Sequence, residues 1–280
     1  MGLVLFTVSG CSRCAVVGKF LRERGIACEE RDALGEGKTA FAEFYRAHRG
    51  AIARGREGVE FPVLSDGDSV RQGLGPVLAS LQGGARLEAF FRCAEAPRGW
   101  VSGIEISAGD ARAAADFFAV LEFLKREGLK LEAATDGRNA ALLEELFRRD
   151  LADRVVMRLH GPPDVHRETL GGKTGIEEIE AAMTWVCRFR EYRFETPVVC
   201  PSPGTPAPGG PRPLTPEEVA ATARWLREAT GSHRQPYVLV PCPAAAAEPP
   251  SSPAPACLVR HRSAARTFQV LTEIAPFAVR

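Results

Sequence analysis

"LVLFTVSGCSRCAVVGKFLRERG", residues 3–25, is the stretch on which the reading of the fold turns. Leu3 to Val8 form a short apolar run and read as a strand. From Cys11 to about Arg24 the pattern is helical, and Gly25 closes it. Cys11 and Cys14 therefore fall at a strand-to-helix junction. A pair at that spacing is a redox dithiol, half of a zinc site or a coincidence. The zinc reading is weak, because the chain contains no second CxxC to complete a four-cysteine site. The redox reading has a physical basis. At a helix N-terminus, unpaired backbone N–H groups and the helix dipole stabilise a thiolate. Arg13 adds a positive charge between the two sulfurs. Cys14, one turn into the helix, is placed to resolve a mixed disulfide formed on Cys11.

Reading outward, residues 1–83 form one unit of order βαβα then ββα. A second strand runs from Ala27 to Arg31, and a helix spans "KTAFAEFYRAHRGAIA" (38–53). In "EFPVL" (60–64) Pro62 opens a strand, a position that often indicates a cis peptide bond. The turn "SDGD", a short strand and the helix "GPVLASLQ" follow. The element order, the length and the placement of CSRC and Pro62 resemble the glutaredoxin family of the thioredoxin fold. The resemblance implies that Cys11 attacks, Cys14 resolves and Pro62 faces the dithiol. It also implies that Arg13, Phe61 and Gly73 line the substrate groove. Two departures stand out: Val8 occupies the place of the family's lysine, and "GLGPV" (73–77) lacks the acid of the family's glutathione-holding motif. Dithiol exchange is unaffected by these changes, while glutathione as a substrate stays open.

A helical connecting segment, "ARLEAFFRCAEAPRG", covers most of residues 84–99. From Trp100 onward strand-helix units repeat: "VSGIEIS" and "ARAAADFFAVLEFLKREG", "LKLEAAT" and "NAALLEELFRRD", "RVVMRL" and "IEEIEAAMTWVCRF". "YRFETPVV" then precedes a helix with Thr215 as N-cap, Pro216 in its first turn and Glu218 completing a capping box. "PYVLVP" and a final strand near "PFAVR" end the series. Strands alternating with helices predict a parallel sheet, open or closed. The Pro-rich stretches 201–213 and 241–256 read as surface loops.

An ordered set of motifs gives this second half its own likeness. "GIEISAGDA" (103–111), "ATDGRN" (134–139), "LADRVVMRLHGP" (151–162), "YRFETPVV" (192–199) and "YVLVP" (237–241) resemble, in order, motifs of the radical-SAM activating enzymes of glycyl-radical proteins. The activase of anaerobic ribonucleotide reductase is the nearest type. The cluster-binding CxxxCxxC of that family has no counterpart in the chain. Its GGEP is replaced by Ala108-Gly109-Asp110-Ala111, and Arg158 and His160 stand where it has Asp and Lys. Three cysteine thiolates are needed to hold the cluster that reduces S-adenosylmethionine. The 4Fe–4S cluster and S-adenosylmethionine are therefore expected to be lost, and no cofactor or metal is expected. The fold expected is α/β: a thioredoxin-like domain (1–83), a connecting helix or linker (84–99) and a degenerate partial (β/α) barrel of radical-SAM type (100–280).

Composition narrows the partners. In 280 residues, 36 Lys and Arg against 35 Asp and Glu leave a formal charge of +1, which gives no footprint for nucleic acid. The N-terminal apolar run is too short for a signal peptide or membrane span, so a cytoplasmic protein with no membrane partner is expected. That setting argues against structural disulfides. Cys28, Cys93, Cys187, Cys200, Cys242 and Cys257 are expected mostly as small buried hydrophobes. Asp110 and Asp136 read first as caps or turn residues. Together with Arg158 and His160 they also form a candidate residual ligand site at the sheet end. His160 and His166 read as exposed loop histidines, with a metal pair as the alternative. Phe117, Phe118, Leu121 and Leu124 read as core.

The function expected is thiol–disulfide exchange on a protein partner docked by the cluster-less barrel. The resemblance names a glycyl-radical reductase or its activase as that partner. Two rivals stay open: a true activating enzyme with atypical cluster ligands such as Cys93, Cys187 and Cys200, and a non-catalytic binding module.

Overall fold

The structure is a computed structural model that describes residues 2–55, 58–199, 213–242 and 256–275. The expected strand near 276–280 and most of the two Pro-rich loops lie outside the described residues. The chain begins with β1 (Val4–Thr7), α1 (Ser12–Arg24), β2 (Glu29–Asp32) and α2 (Lys38–Ala47). A small hairpin, β3 (Arg54–Gly55) and β4 (Gly58–Val59), precedes β5 (Val63–Ser65), β6 (Val70–Gln72) and α3 (Leu74–Gly83). A 3₁₀ helix (Gly84–Phe90) leads to β7 (Trp100–Glu105), and a 3₁₀ turn (Ala111–Ala113) opens α4 (Ala114–Arg126). Then follow β8 (Lys130–Thr135), α5 (Ala140–Arg148), β9 (Arg154–Arg158), α6 (Pro163–Thr169), α7 (Ile176–Val186) and β10 (Glu191–Val199). The series closes with α8 (Pro216–Thr230), β11 (Tyr237–Cys242), α9 (Ala256–Arg266) and β12 (Thr272–Ile274).

The fold is α/β. A mixed four-stranded sheet has the order β2-β1-β5-β6, with β1 parallel to β2 and antiparallel to β5, and β5 antiparallel to β6. The second sheet has six strands in the order β12-β11-β10-β9-β8-β7, and its ladders from β9 to β12 are parallel. The chain divides into two compact units, Met1–Ala133 and Ala134–Arg280.

In the first unit the apolar spacing of α1 decides its packing. Cys14, Val17, Gly18, Phe20 and Leu21 are its buried residues, one face of a helix at 3.6 residues per turn. Phe20 meets Phe123 of α4 edge-on at 4.9 Å, and Phe90 stacks on Phe117 at 4.3 Å. Each such fully buried side chain contributes about 1.5–3 kcal/mol. Gly25 ends α1 at φ 62°, a left-handed cap that a β-carbon would strain. On β1, Leu5 and Phe6 alternate to opposite faces. Phe6 joins Phe41 and Phe44 of α2, at 5.1 and 4.9 Å. The helix α2 stops at Ala47, short of the expected Ala53, where His48 caps it by donating to the Phe44 carbonyl.

The connecting segment is helical only to Phe90. Phe91 bridges to Ile104, and the Arg92 N–H donates to the Gly103 carbonyl at 2.8 Å, so its backbone finds partners on β7 instead of in a helix. Gly103 makes the close approach possible. Its φ is 79°, and a β-carbon there would overlap the Arg92 carbonyl oxygen. Gly103→Ala is expected to destabilise the chain by about 2–4 kcal/mol, from left-handed strain plus the displaced segment. Urea unfolding reads this directly, and an unchanged midpoint would contradict the packing described.

In the second unit, β10 alternates between buried and half-buried positions, with Phe194, Thr196 and Val198 buried. The buried Thr196 hydroxyl and the Tyr237 hydroxyl satisfy one another at 2.7 Å. The capping box of α8 forms as expected: Thr215 Oγ accepts from the Glu218 N–H, and the Glu218 carboxylate accepts from the Thr215 N–H at 2.9 Å. Two helices were not legible. α6 lies where a loop was expected, and α9 follows directly after the second Pro-rich stretch. Among the described residues no helix is long and apolar enough to cross a membrane.

Candidate functional site

Cys11 is the N-cap of α1, with φ −76° and ψ 111°. From there its sulfur accepts from the Cys14 backbone N–H at 3.2 Å and from the Cys14 thiol at 2.7 Å. Cys11 is half-buried and Cys14 buried. The bonds from Cys14 are the main cause that pulls the Cys11 thiol down to about 6, against the opposing effect of burial. The same contact, with burial, pushes Cys14 strongly upward. One sulfur is thus set to be a thiolate at neutral pH and the other a thiol that donates to it.

The Arg13 side chain makes its hydrogen bonds to groups other than the sulfurs. Its guanidinium pairs with the Glu60 carboxylate and donates to the Ala96 carbonyl at 3.0 Å. Its charge lowers the Cys11 thiol by less than the bonds from Cys14 do. The Phe61–Pro62 peptide bond is cis, as the strand-start position suggested. The Gly73 N–H donates to the Pro62 carbonyl at 2.9 Å. Phe61 turns into the aromatic cluster of α2, 5.1 Å from Phe41. A narrow cleft brings together Arg13, Glu60, Gly73, Cys93 and Ala96.

Glu60 and Cys93 are the members that sequence reasoning missed. Their contacts with Arg13 and with each other span 47 and 33 residues of chain, so no local pattern marks them. Beside the dithiol, Ser9 donates to Asp32, which also accepts from the Leu34 and Gly35 N–H groups at 2.9 and 3.0 Å. These bonds hold the Asp32 carboxyl below its usual range and fix a loop whose Leu34 is 68% exposed.

Of the candidate residual ligand residues, Asp110 and Asp136 are each paired with an arginine two positions on. Asp110 caps the 3₁₀ turn, accepting from the Arg112 N–H at 2.9 Å, and pairs with the Arg112 guanidinium at 2.7 Å. Asp136 does the same with Arg138, at 3.2 and 2.7 Å. Arg158 ends β9 in register with Glu195 of β10. His160 stacks on His166 with ring centres 5.5 Å apart, and burial lowers its affinity for a proton.

The expectation of exposed loop histidines fails at His166, which lies on α6 and is fully buried. Its Nδ1 accepts from the His160 N–H at 3.0 Å, so Nε2 carries the hydrogen and donates to the Asp136 carbonyl at 2.8 Å. Burial pushes this imidazole down to about 4, and it is neutral at pH 7. His166 therefore ties the ends of β8 and β9 to each other, a structural task.

The single cysteines also depart from expectation. Cys28, Cys187, Cys242 and Cys257 are half-exposed and Cys93 is exposed, while Cys200 lies outside the described residues. Cys28 precedes β2, Cys187 caps α7 and Cys242 ends β11, and positions at element ends are open to solvent on one side. Among the described residues no group of three or more His, Cys, Asp or Glu side chains is gathered as a metal ion requires. No protein-family model matches the chain, and no curated protein matches it.

Proposed function

We propose that the chain is a thiol–disulfide oxidoreductase acting on a protein disulfide. The observation that carries this reading is the Cys11 sulfur at the N-cap of α1, receiving both the N–H and the thiol of Cys14. In the reaction the Cys11 thiolate attacks one sulfur of the substrate disulfide. A Cys11–substrate disulfide forms and the other substrate sulfur leaves as a thiolate. Cys14 then gives up its proton and attacks the Cys11 sulfur, expelling the second substrate thiolate. Two electrons pass to the substrate and a Cys11–Cys14 disulfide remains. A reduced thiol or dithiol donor returns the chain to its starting state.

The sheet order β2-β1-β5-β6, with CSRC between β1 and α1, supports a glutaredoxin-like first domain. The exposed Leu34 on a loop tied to Ser9 supports a polypeptide substrate, because an apolar contact beside the dithiol adds nothing to a small hydrophilic disulfide. The parallel strands in sequence order support the reading of residues 100–280 as a partial radical-SAM-type barrel kept for docking. The partner implied by that resemblance is a glycyl-radical reductase or its activase, in the cytoplasm. The test is a trap. Cys14→Ser chain incubated in cell extract is expected to hold one protein through Cys11, released by dithiothreitol and absent with Cys11→Ser/Cys14→Ser. Recovery of glutathione alone would replace the protein substrate with a small one.

A further inference from the structure

Arg13 sits between the two cysteines, where a cation has most leverage on a thiolate. Both arms of its guanidinium are nevertheless committed elsewhere: one nitrogen pairs with Glu60 Oε1 and another donates to the Ala96 carbonyl. The second oxygen of Glu60 accepts from the Cys93 thiol at 3.3 Å, so the carboxylate is braced from its far side. Ala96 and Cys93 belong to the segment that the Arg92 N–H fastens to Gly103. The Arg13 and Glu60 side chains are only 24% and 21% exposed, which shields the pair from solvent better than an ordinary surface salt bridge. A positive charge next to the nucleophile is thus paired with a negative one held in place.

We infer that Glu60 is a positioning residue that acts through Arg13, holding the guanidinium off the Cys11 sulfur and so limiting how oxidising the dithiol is. The inference rests on the dithiol reading above. Its logic is linkage. The reduced chain carries the Cys11 thiolate and the oxidised chain does not, so any charge that stabilises the thiolate favours the reduced form and makes the disulfide a stronger oxidant. With Glu60 in place the Arg13 charge reaches Cys11 weakly. Without it, the Arg13 charge is uncompensated, and only the Ala96 carbonyl still holds the guanidinium.

Glu60→Gln keeps the shape and an oxygen for Cys93 while removing the charge. The midpoint of Cys11 alkylation against pH is expected to fall by about half a unit or more. In exchange with dithiothreitol, the Cys11–Cys14 disulfide takes two electrons and dithiothreitol closes to its cyclic disulfide. That equilibrium is expected to move about threefold or more toward the reduced chain, matching the pH shift. The double variant Arg13→Gln/Glu60→Gln should lose both effects, and Glu60→Asp should return both toward the parent. Arg13→Lys tests the link from the other side, because a point charge cannot hold Glu60 and Ala96 together. It too should lower the midpoint. An equal fall in Glu60→Gln with or without Arg13 would mean that Glu60 acts directly, and no fall would mean that it does not act; either overturns the inference. A parent chain whose Cys11 alkylates like an ordinary thiol defeats the dithiol reading instead.

Discussion

Cys11→Ser is expected to reduce disulfide exchange to the uncatalysed background, and the parent Cys11 is expected to show its advantage chiefly in acid. The second half of that statement follows from magnitudes. With Cys11 pulled down to about 6, roughly thirtyfold more of it is thiolate at pH 7 than of a free cysteine near 8.5. A less basic thiolate is also a weaker nucleophile, by roughly tenfold over that span at a Brønsted slope of about 0.45. The two effects nearly cancel, leaving about a two- to threefold gain in alkylation rate at pH 7. At pH 5.5 the thiolate excess grows to about two-hundredfold while the nucleophilicity loss is unchanged, so the gain reaches about twentyfold. Iodoacetamide rates between pH 5 and 8 measure this. A Cys11 that tracks free cysteine across the range would remove the thiolate and with it the proposed function. Cys14→Ser should raise the Cys11 midpoint, because the thiol at 2.7 Å becomes a hydroxyl at different reach. It should leave mixed-disulfide formation intact. The value of the low midpoint lies in the leaving step: a stable Cys11 thiolate departs readily when a reducing thiol attacks the outer sulfur of a mixed disulfide held on Cys11.

What was legible in the sequence was whatever is local. The strand-helix junction at Cys11, the Gly25 stop, the Thr215–Glu218 capping box and the Phe117 to Leu124 stripe are each written in a few adjacent residues. The strand-helix alternation gave the parallel sheet for the same reason. Burial of polar groups was not legible. His166 lies in "PDVHRET", a polar stretch with one apolar residue, and nothing in it signals that the ring finds partners at Asp136 and His160 and is sealed among them. Arg13 was legible only in part: its charge does lower the Cys11 thiol, as its position suggests. Its neighbours in sequence are the two cysteines, while its partners in space are Glu60 and Ala96. Sequence spacing placed the charge correctly and could not say what it pairs with.

The buried imidazole of His166 makes stability depend on pH in a stated direction. In the unfolded chain this histidine titrates near its ordinary value of 6.5, and in the folded chain it is held down to about 4. Above pH 6.5 it is neutral in both states and its contribution is complete. As pH falls below 6.5 the unfolded chain gains a proton that the folded chain refuses, and stability is lost progressively until about pH 4. Between pH 7.5 and 5 the loss from His166 alone is about 2 kcal/mol, and about 3 kcal/mol by pH 4. His160 moves in the same direction and adds to it. His166→Ala should be costly at every pH. It leaves the His160 N–H and the Asp136 carbonyl without their buried partner and opens a cavity, together about 3–5 kcal/mol. The discriminating readout is the slope, not the loss. The stability read by urea unfolding, followed by the fluorescence of the three tryptophans, of which Trp225 lies 5.7 Å from His166, should fall steeply between pH 7.5 and 5 in the parent. It should fall by about 2 kcal/mol less in His166→Ala, because a residue that cannot take a proton cannot favour the unfolded state in acid. Carboxylates are poor competitors for this effect, since most stay ionised down to about pH 5. Equal slopes in the two proteins would show that the imidazole already takes up its proton in the fold. The hydrogen bonds that tie the strand ends would then not be those of a neutral ring.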